Sequence, residues 1–145
     1  MRGVLDNRIL IAALVAWFLA QGIKLVADLI RTRRVDLRYL VSTGGMPSAH
    51  SALVTALATA VGRDVGLTSP VFAVCAVFAA VVIYDAAGLR QSVGIQARIL
   101  NRMLDEIFTQ RAFSEARLRE LLGHTPLEVS AGILLGLAVG IGFTL

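Results

Sequence analysis

The stretch GGMPSAHS, residues 44–51, combines a flexible turn with the predicted start of a helix. Two glycines let the backbone bend and approach a ligand closely, and Pro47 suits the first position of a helix. Ser48 and His50 then fall in the first turn, where free backbone N–H groups and the helix dipole favour an anion. We therefore expect a phosphate-binding site here. The alternative is a plain turn that leads into a membrane helix of small residues.

The composition is that of a membrane protein. Of the 145 residues, 57% are hydrophobic and the mean hydropathy is +0.75, which is too apolar for an ordinary soluble domain. The single cysteine, Cys75, lies in an apolar run and implies no disulfide framework. We expect an all-α, polytopic helical bundle that forms one membrane domain over residues 1–145.

The apolar residues fall into blocks that are separated by polar and turn-forming residues. An apolar block of about 20 residues suits a helix that crosses the bilayer. The predicted transmembrane helices are residues 9–30, 47–62, 70–87 and 126–145. Residues 92–122 instead repeat Ile or Met every four positions among charges. This pattern predicts one or two amphipathic helices on the membrane surface.

Two cations mark the end of the first helix. Lys24 and Asp28 are four residues apart and share a helix face, and Arg31 lies two turns after Lys24 on roughly the same face. Lys24 either reaches the membrane surface as a partner of Asp28 or lies inside the bundle as part of a site.

The final helix is preceded by a sequence with two interpretations. Thr125 suits an N-cap, Pro126 the first helical position and Glu128 the closing position of a capping box. Glu128 also lies close to His124 at the helix start, where its carboxylate could orient the imidazole. The helix itself carries Gly132, Gly136 and Gly140 on one face, which predicts close helix packing within the chain or between copies.

Four crossings bring the chemically active residues to one membrane face. That face also holds ten of the arginines, against three on the other side, so we expect it to be cytoplasmic and both termini to lie outside. Both histidines of the chain belong to the set. The residues predicted at this face are Lys24, Arg31, Ser48, His50, Asp85, Arg90, His124 and Glu128.

These motifs carry a resemblance to a known superfamily. The tract Pro47-Ser48-Ala49-His50 resembles the second signature of the phosphatidic acid phosphatase type 2 superfamily, which includes the vanadium-dependent haloperoxidases. Lys24 and Arg31 match the spacing of its first signature, and His124 and Glu128 resemble the His and acid of its third, with Glu in place of Asp. Residues 44–51, 84–90, 96–101 and 123–129 together are similar to the small, divergent bacterial and plant branch.

Two positions depart from the superfamily pattern. Thr32 stands where a proline follows the first-signature arginine, and Leu118 stands where an arginine precedes the third-signature histidine. We expect Arg90 to replace that arginine, with Asp85 near enough to position it; a simple interfacial salt bridge between the two is the alternative. The other candidates for this role are Arg117 and Arg119.

The resemblance implies a phosphatase acting on a lipid or polyprenyl phosphate or diphosphate. His124 would attack phosphorus to form a phosphohistidine, Glu128 would hold its ring, and His50 would protonate the leaving oxygen and then activate water. The implied phosphate-binding residues are Lys24, Arg31, Gly45, Ser48 and Arg90, with Asp85 and Asn101 in support. No metal or other cofactor and no nucleic-acid partner is implied, and we expect a homo-oligomer in the cell (inner) membrane.

Two other function classes fit the same residues. A divalent metal could be held by His50, His124, Glu128 and Asp85, in which case a chelator would abolish activity. A non-catalytic scaffold or lipid-binding membrane protein could keep the fold without turnover, in which case lipid would bind tightly with no phosphate release.

Overall fold

Four long helices make up most of the part of the chain that the structure describes. The computed structural model describes residues 6–33, 45–87, 96, 99–103 and 124–144. The helices are α1 (Arg8–Thr32), α2 (Ala49–Val65), α3 (Pro70–Ala87) and α4 (Pro126–Gly142). No strand occurs among these residues, so the predicted all-α class is confirmed for them. Of the predicted amphipathic segment 92–122, only residues 96 and 99–103 are described, and they are helical.

The start of α2 differs from the sequence prediction by two residues. The side-chain oxygen of Ser48 accepts a hydrogen bond from the backbone N–H of Ser51, which makes Ser48 the N-cap and Ala49 the first helical residue. Pro47 therefore precedes the cap instead of opening the helix. His50 lies in the first turn, as predicted, and the helix continues past Gly62 to Val65.

Helix α2 lies at the centre of the bundle and contacts α1, α3 and α4. Its contact with α4 depends on the glycine face of the last helix. A Cβ atom placed on Gly136 would lie 2.5 Å from the carbonyl oxygen of Ala52 and 2.8 Å from Cβ of Thr55, and Gly140 meets Thr59 in the same way. The glycine face therefore packs within the chain. The predicted homo-oligomer remains a prediction, and it needs a different surface.

The bundle has small residues inside and large apolar residues outside. The central cluster of the buried core consists of alanines of α1 and α2, namely Ala16, Ala20, Ala49, Ala52 and Ala56. Large apolar side chains point outward, as shown by Val74 on α3, which is 69% exposed. Helices that associate in lipid use small residues for close approach because lipid tails are as apolar as the side chains they replace. The arrangement suits a bilayer.

Two of the four helices are long and apolar enough to cross a membrane. They are α1, over Arg8–Ile30, and α3, over Pro70–Ala87. Helices α2 and α4 have 17 residues each, which corresponds to about 25 Å at 1.5 Å per residue. This is slightly less than the roughly 30 Å of a typical hydrocarbon core. The structure therefore supports two candidate spans by length and composition, and the full set of four crossings remains a prediction.

Candidate functional site

Three helix ends meet at one end of the bundle. The backbone N–H of Ser48 donates to the carbonyl oxygen of Glu128 at 2.9 Å, which joins the start of α2 to the first turn of α4. The backbone N–H of His124 lies 3.4 Å from the carbonyl oxygen of Ala86, near the end of α3. These backbone contacts bring two predicted motifs together although they are far apart in the sequence.

The two histidines face each other at this end of the bundle. The ring centroids of His50 and His124 are 6.4 Å apart, and the ring planes are inclined at 58°. The side chain of His124 is completely buried, whereas His50 lies at an exposed position of the first turn of α2. One imidazole is thus fixed inside the protein and the other is open to approach from outside.

The buried imidazole has one occupied and one available nitrogen. Nδ1 of His124 lies 3.2 Å from Oε2 of Glu128. An ionised carboxylate can only accept, so this contact favours the neutral tautomer with hydrogen on Nδ1 and a lone pair on Nε2. Nε2 is buried and has no hydrogen-bond partner among the described residues. A buried, unpaired nitrogen requires an explanation, and a catalytic role is one of those that native proteins show.

The Glu128 carboxylate also closes a capping box. Its Oε2 accepts from the N–H of Thr125 at 2.9 Å, and Oγ1 of Thr125 accepts from the N–H of Glu128 at 3.3 Å. The two interpretations of Glu128 from the sequence are therefore compatible, because the same oxygen contacts Thr125 and His124. Thr125 is thereby connected to the site, a role that the sequence analysis missed although the capping-box pattern pointed to it.

The surroundings of His124 favour its neutral form. Burial lowers the pKa of His124 most strongly, the hydrogen bond to Glu128 raises it, and the nearby Lys24 and His50 lower it further. The net effect is a pKa below the usual 6.5. A neutral imidazole keeps the lone pair that a nucleophile needs.

Lys24 lies inside the bundle next to these groups. Its side chain is 4% exposed, and it interacts electrostatically with Glu128 and His124. Gly45, with φ of +93°, lies over the aliphatic part of the lysine: a Cβ placed there would be 3.7 Å from Cδ of Lys24. The structure therefore favours the buried cation over the alternative in which Lys24 reaches the membrane surface beside Asp28.

Ser48 has a structural role at this position. It is fully buried, and its Oγ accepts from the backbone N–H of Ser51 at 3.3 Å and from the hydroxyl of Ser51 at 3.0 Å. A hydroxyl oxygen has two lone pairs, so both are used within α2. What Ser48 could still give to a phosphate oxygen is its own hydroxyl hydrogen.

The remaining predicted residues are only partly accounted for. Asp85 is exposed on α3, and Asn101 is buried in the helical segment 99–103. The backbone of Arg31 belongs to α1. No three His, Cys, Asp or Glu side chains within the described ranges are placed to share a metal ion. The predicted arginines that lie outside the described residues are Arg90, Arg117 and Arg119.

Comparison with known proteins agrees with the resemblance of the motifs. The model of the Divergent PAP2 family matches residues 5–139. A Bacillus subtilis (strain 168) protein named Uncharacterized membrane protein YuiD is 41% identical, and the match covers 92% of each chain. No solved structure matches. The family match over nearly the whole chain, the membrane relative and the two long apolar helices together show that this protein is a membrane protein of the Divergent PAP2 family.

Proposed function

We propose that this protein is a membrane phosphatase that hydrolyses a lipid or polyprenyl phosphate or diphosphate through a phosphohistidine on His124. The single observation that carries the proposal is the state of His124, whose Nδ1 contacts Glu128 while its buried Nε2 has no partner among the described residues. This arrangement presents a lone pair at the end of the bundle where His50 and Lys24 also lie.

The first step transfers the phosphoryl group to the protein. Nε2 of His124 attacks phosphorus, and the bond from phosphorus to the leaving oxygen breaks with its electron pair on that oxygen. Protonated His50 donates a proton to the leaving oxygen. The attack needs a phosphorus atom about 3 to 3.5 Å from Nε2, and the His50 ring, whose centroid is 6.4 Å from that of His124, lies near enough to act on the same group. Glu128 stabilises the imidazolium that His124 becomes.

The second step releases inorganic phosphate. Neutral His50 takes a proton from water as the water oxygen attacks phosphorus. The phosphorus–nitrogen bond breaks, and its electron pair returns to Nε2 of His124. His50 is then protonated again and His124 neutral, so the cycle needs no external acid or base.

Cations stabilise the charge that develops on the phosphoryl oxygens. Lys24 supplies a buried positive charge next to His124 and Glu128. In a site from which water is excluded, the attraction between a cation and the charge that develops in the transition state is stronger than in water. Arg31 and Arg90 add to it in the proposal, and the hydroxyl of Ser48 donates from the start of α2. In the proposal, Asp85 and Asn101 are supporting residues beside the phosphate-binding groups.

The position of the site suits an amphiphilic substrate. The histidines lie at one end of the bundle, and the outer faces of α1 and α3 carry large exposed apolar residues. A lipid can leave its tail in the bilayer along such faces and bring its phosphate to the bundle end. We assign this end to the cytoplasmic side, because ten arginines flank it in the sequence against three on the other side.

Phosphate release from a panel of lipid and polyprenyl phosphates and diphosphates in detergent tests the proposal. The parent should release phosphate, whereas His124→Ala and His50→Ala should not, with unfolding midpoints close to that of the parent. Arg63→Gln is the control, since Arg63 bonds Thr144 at the far ends of α2 and α4. Equal rates in all four proteins, or tight lipid binding without release by the parent, would refute the proposal. Loss of activity with a chelator would favour a metal enzyme.

A further inference from the structure

We propose that Thr125 is a positioning residue whose hydroxyl and backbone N–H fix the Glu128 carboxylate so that Oε2 faces Nδ1 of His124. The inference rests on the proposed function, because it assigns Nε2 of His124 as the reacting atom. It adds to that function a residue that the superfamily signatures do not contain.

The hold on the carboxylate comes from both ends of the Glu128 residue. The main-chain N–H of Glu128 donates to Oγ1 of Thr125, and the Thr125 N–H donates back to Oε2 at 2.9 Å. The first bond holds the main chain of Glu128, and the second holds its carboxylate. The carboxylate of Glu128 is thereby confined before any contact with His124 is made, which is the condition for a precise orienting group.

The length of the Glu128 side chain is part of this arrangement. In a capping box the side chain at the third helical position returns to the N–H of the cap residue, and Glu or Gln is the usual residue there. An Asp side chain is one methylene shorter. Glu at position 128, where the superfamily resemblance has Asp, provides one oxygen that contacts both Thr125 and His124.

Fixing Oε2 decides which nitrogen of His124 is free. Among the described residues, the charged or titratable groups that face His124 are Lys24 from α1, His50 from α2 and Glu128 from α4. From α3, the carbonyl oxygen of Ala86 faces the backbone N–H of His124. Of these groups, only Glu128 contacts Nδ1 within the described residues. If Glu128 moves, hydrogen is no longer held on Nδ1 and the lone pair on Nε2 is no longer favoured.

Nitrogen-15 NMR of histidine-labelled protein in detergent measures this directly, because the chain has two histidines and His50→Ala assigns the signals. The parent should hold His124 with hydrogen on Nδ1. Thr125→Ser keeps the hydroxyl and should match the parent. Thr125→Val has a similar shape without the hydroxyl and should give mixed tautomers and a lower titration midpoint, since the hydrogen bond to Glu128 raises the pKa of His124.

Kinetics give the second measurement. We expect Thr125→Val to lower kcat about tenfold at unchanged KM, as small displacements of a catalytic group cost this much or more. Tautomer and midpoint equal to those of the parent in folded Thr125→Val would overturn the inference. If that variant does not fold, Thr125→Ala, which also lacks the hydroxyl, replaces it, and parent-like His124 signals there would be equally decisive. A parent without phosphatase activity would instead refute the proposed function, and the NMR comparison would still judge the role of Thr125.

Discussion

The imidazoles of His50 and His124 come from opposite halves of the chain, yet their centroids are 6.4 Å apart. The first belongs to the start of α2 and the second to the residue before the N-cap of α4. The hydrogen bond from the Ser48 N–H to the Glu128 carbonyl oxygen joins these two helix starts directly. The two rings are therefore close enough to contact one phosphoryl group from neighbouring sides in the proposed mechanism.

The first prediction concerns the contact between α2 and α4. Gly136→Ala should lower the free energy of unfolding by about 1–3 kcal/mol, the usual range for overpacking, because the new Cβ would lie 2.5 Å from the carbonyl oxygen of Ala52. Gly22→Ala is the control, since a Cβ on Gly22 would meet no atom within 4 Å. Thermal unfolding in detergent measures both. Equal midpoints would show that the glycine face tolerates a side chain.

The second prediction concerns the buried cation. Lys24→Met should lower kcat/KM by about 100-fold or more, the usual effect of removing one group that stabilises transition-state charge, and should weaken inhibition by vanadate. Lys24 lies beside Glu128 and His124 and is 4% exposed. Arg63→Met, at the other end of the bundle, should leave both quantities unchanged. Parent-like kinetics and vanadate inhibition in Lys24→Met would mean that this lysine is only part of the packing.

The third prediction follows from the lowered pKa of His124. The unfolded chain binds a proton at about pH 6.5, whereas the folded protein binds it only at lower pH. The stability contribution is therefore complete above pH 6.5 and is lost as the pH falls towards the folded pKa. Unfolding midpoints between pH 7.5 and 5 should fall more in the parent than in His124→Gln. Parallel curves for the two proteins would contradict the assigned environment of His124.

The same lowered pKa sets the acid limit of catalysis. Nε2 must be unprotonated to attack, so phosphate release should persist to pH values below those at which a free histidine becomes charged. The acidic limb of kcat/KM should therefore lie below pH 6.5. A limb above that value would indicate that His124 gains a proton more readily than its burial and its neighbours imply.

The fourth prediction concerns the covalent intermediate. An aryl phosphate needs no proton on its leaving oxygen, so His50→Ala should still form the phosphohistidine but hydrolyse it slowly. Phosphorus-labelled protein that is stable in alkali and labile in acid should accumulate in His50→Ala. His124→Ala serves as the control and should carry no label. Labelling of both variants would place the nucleophile elsewhere.

The sequence predicted the local parts of this molecule well. The capping box at Thr125 and Glu128 and the limits of α3 follow from neighbouring residues, and the structure has both. The start of α2 was predicted two residues early, because proline at the first helical position and proline before the cap look alike in sequence. Only the bond from the Ser51 N–H to Ser48 distinguishes them.

The sequence by itself predicted the membrane class, the helices apart from the start of α2, and the proximity of His124 and Glu128, because hydropathy and hydrogen bonds within one turn depend on residues near each other in the chain. The tertiary structure alone decided that the glycine face of α4 packs on α2, that Lys24 points inward, and that His50 reaches His124. In lipid, helix pairing depends on close contact over whole helix surfaces and not on apolarity. Such a fit between distant segments cannot be read from either segment alone.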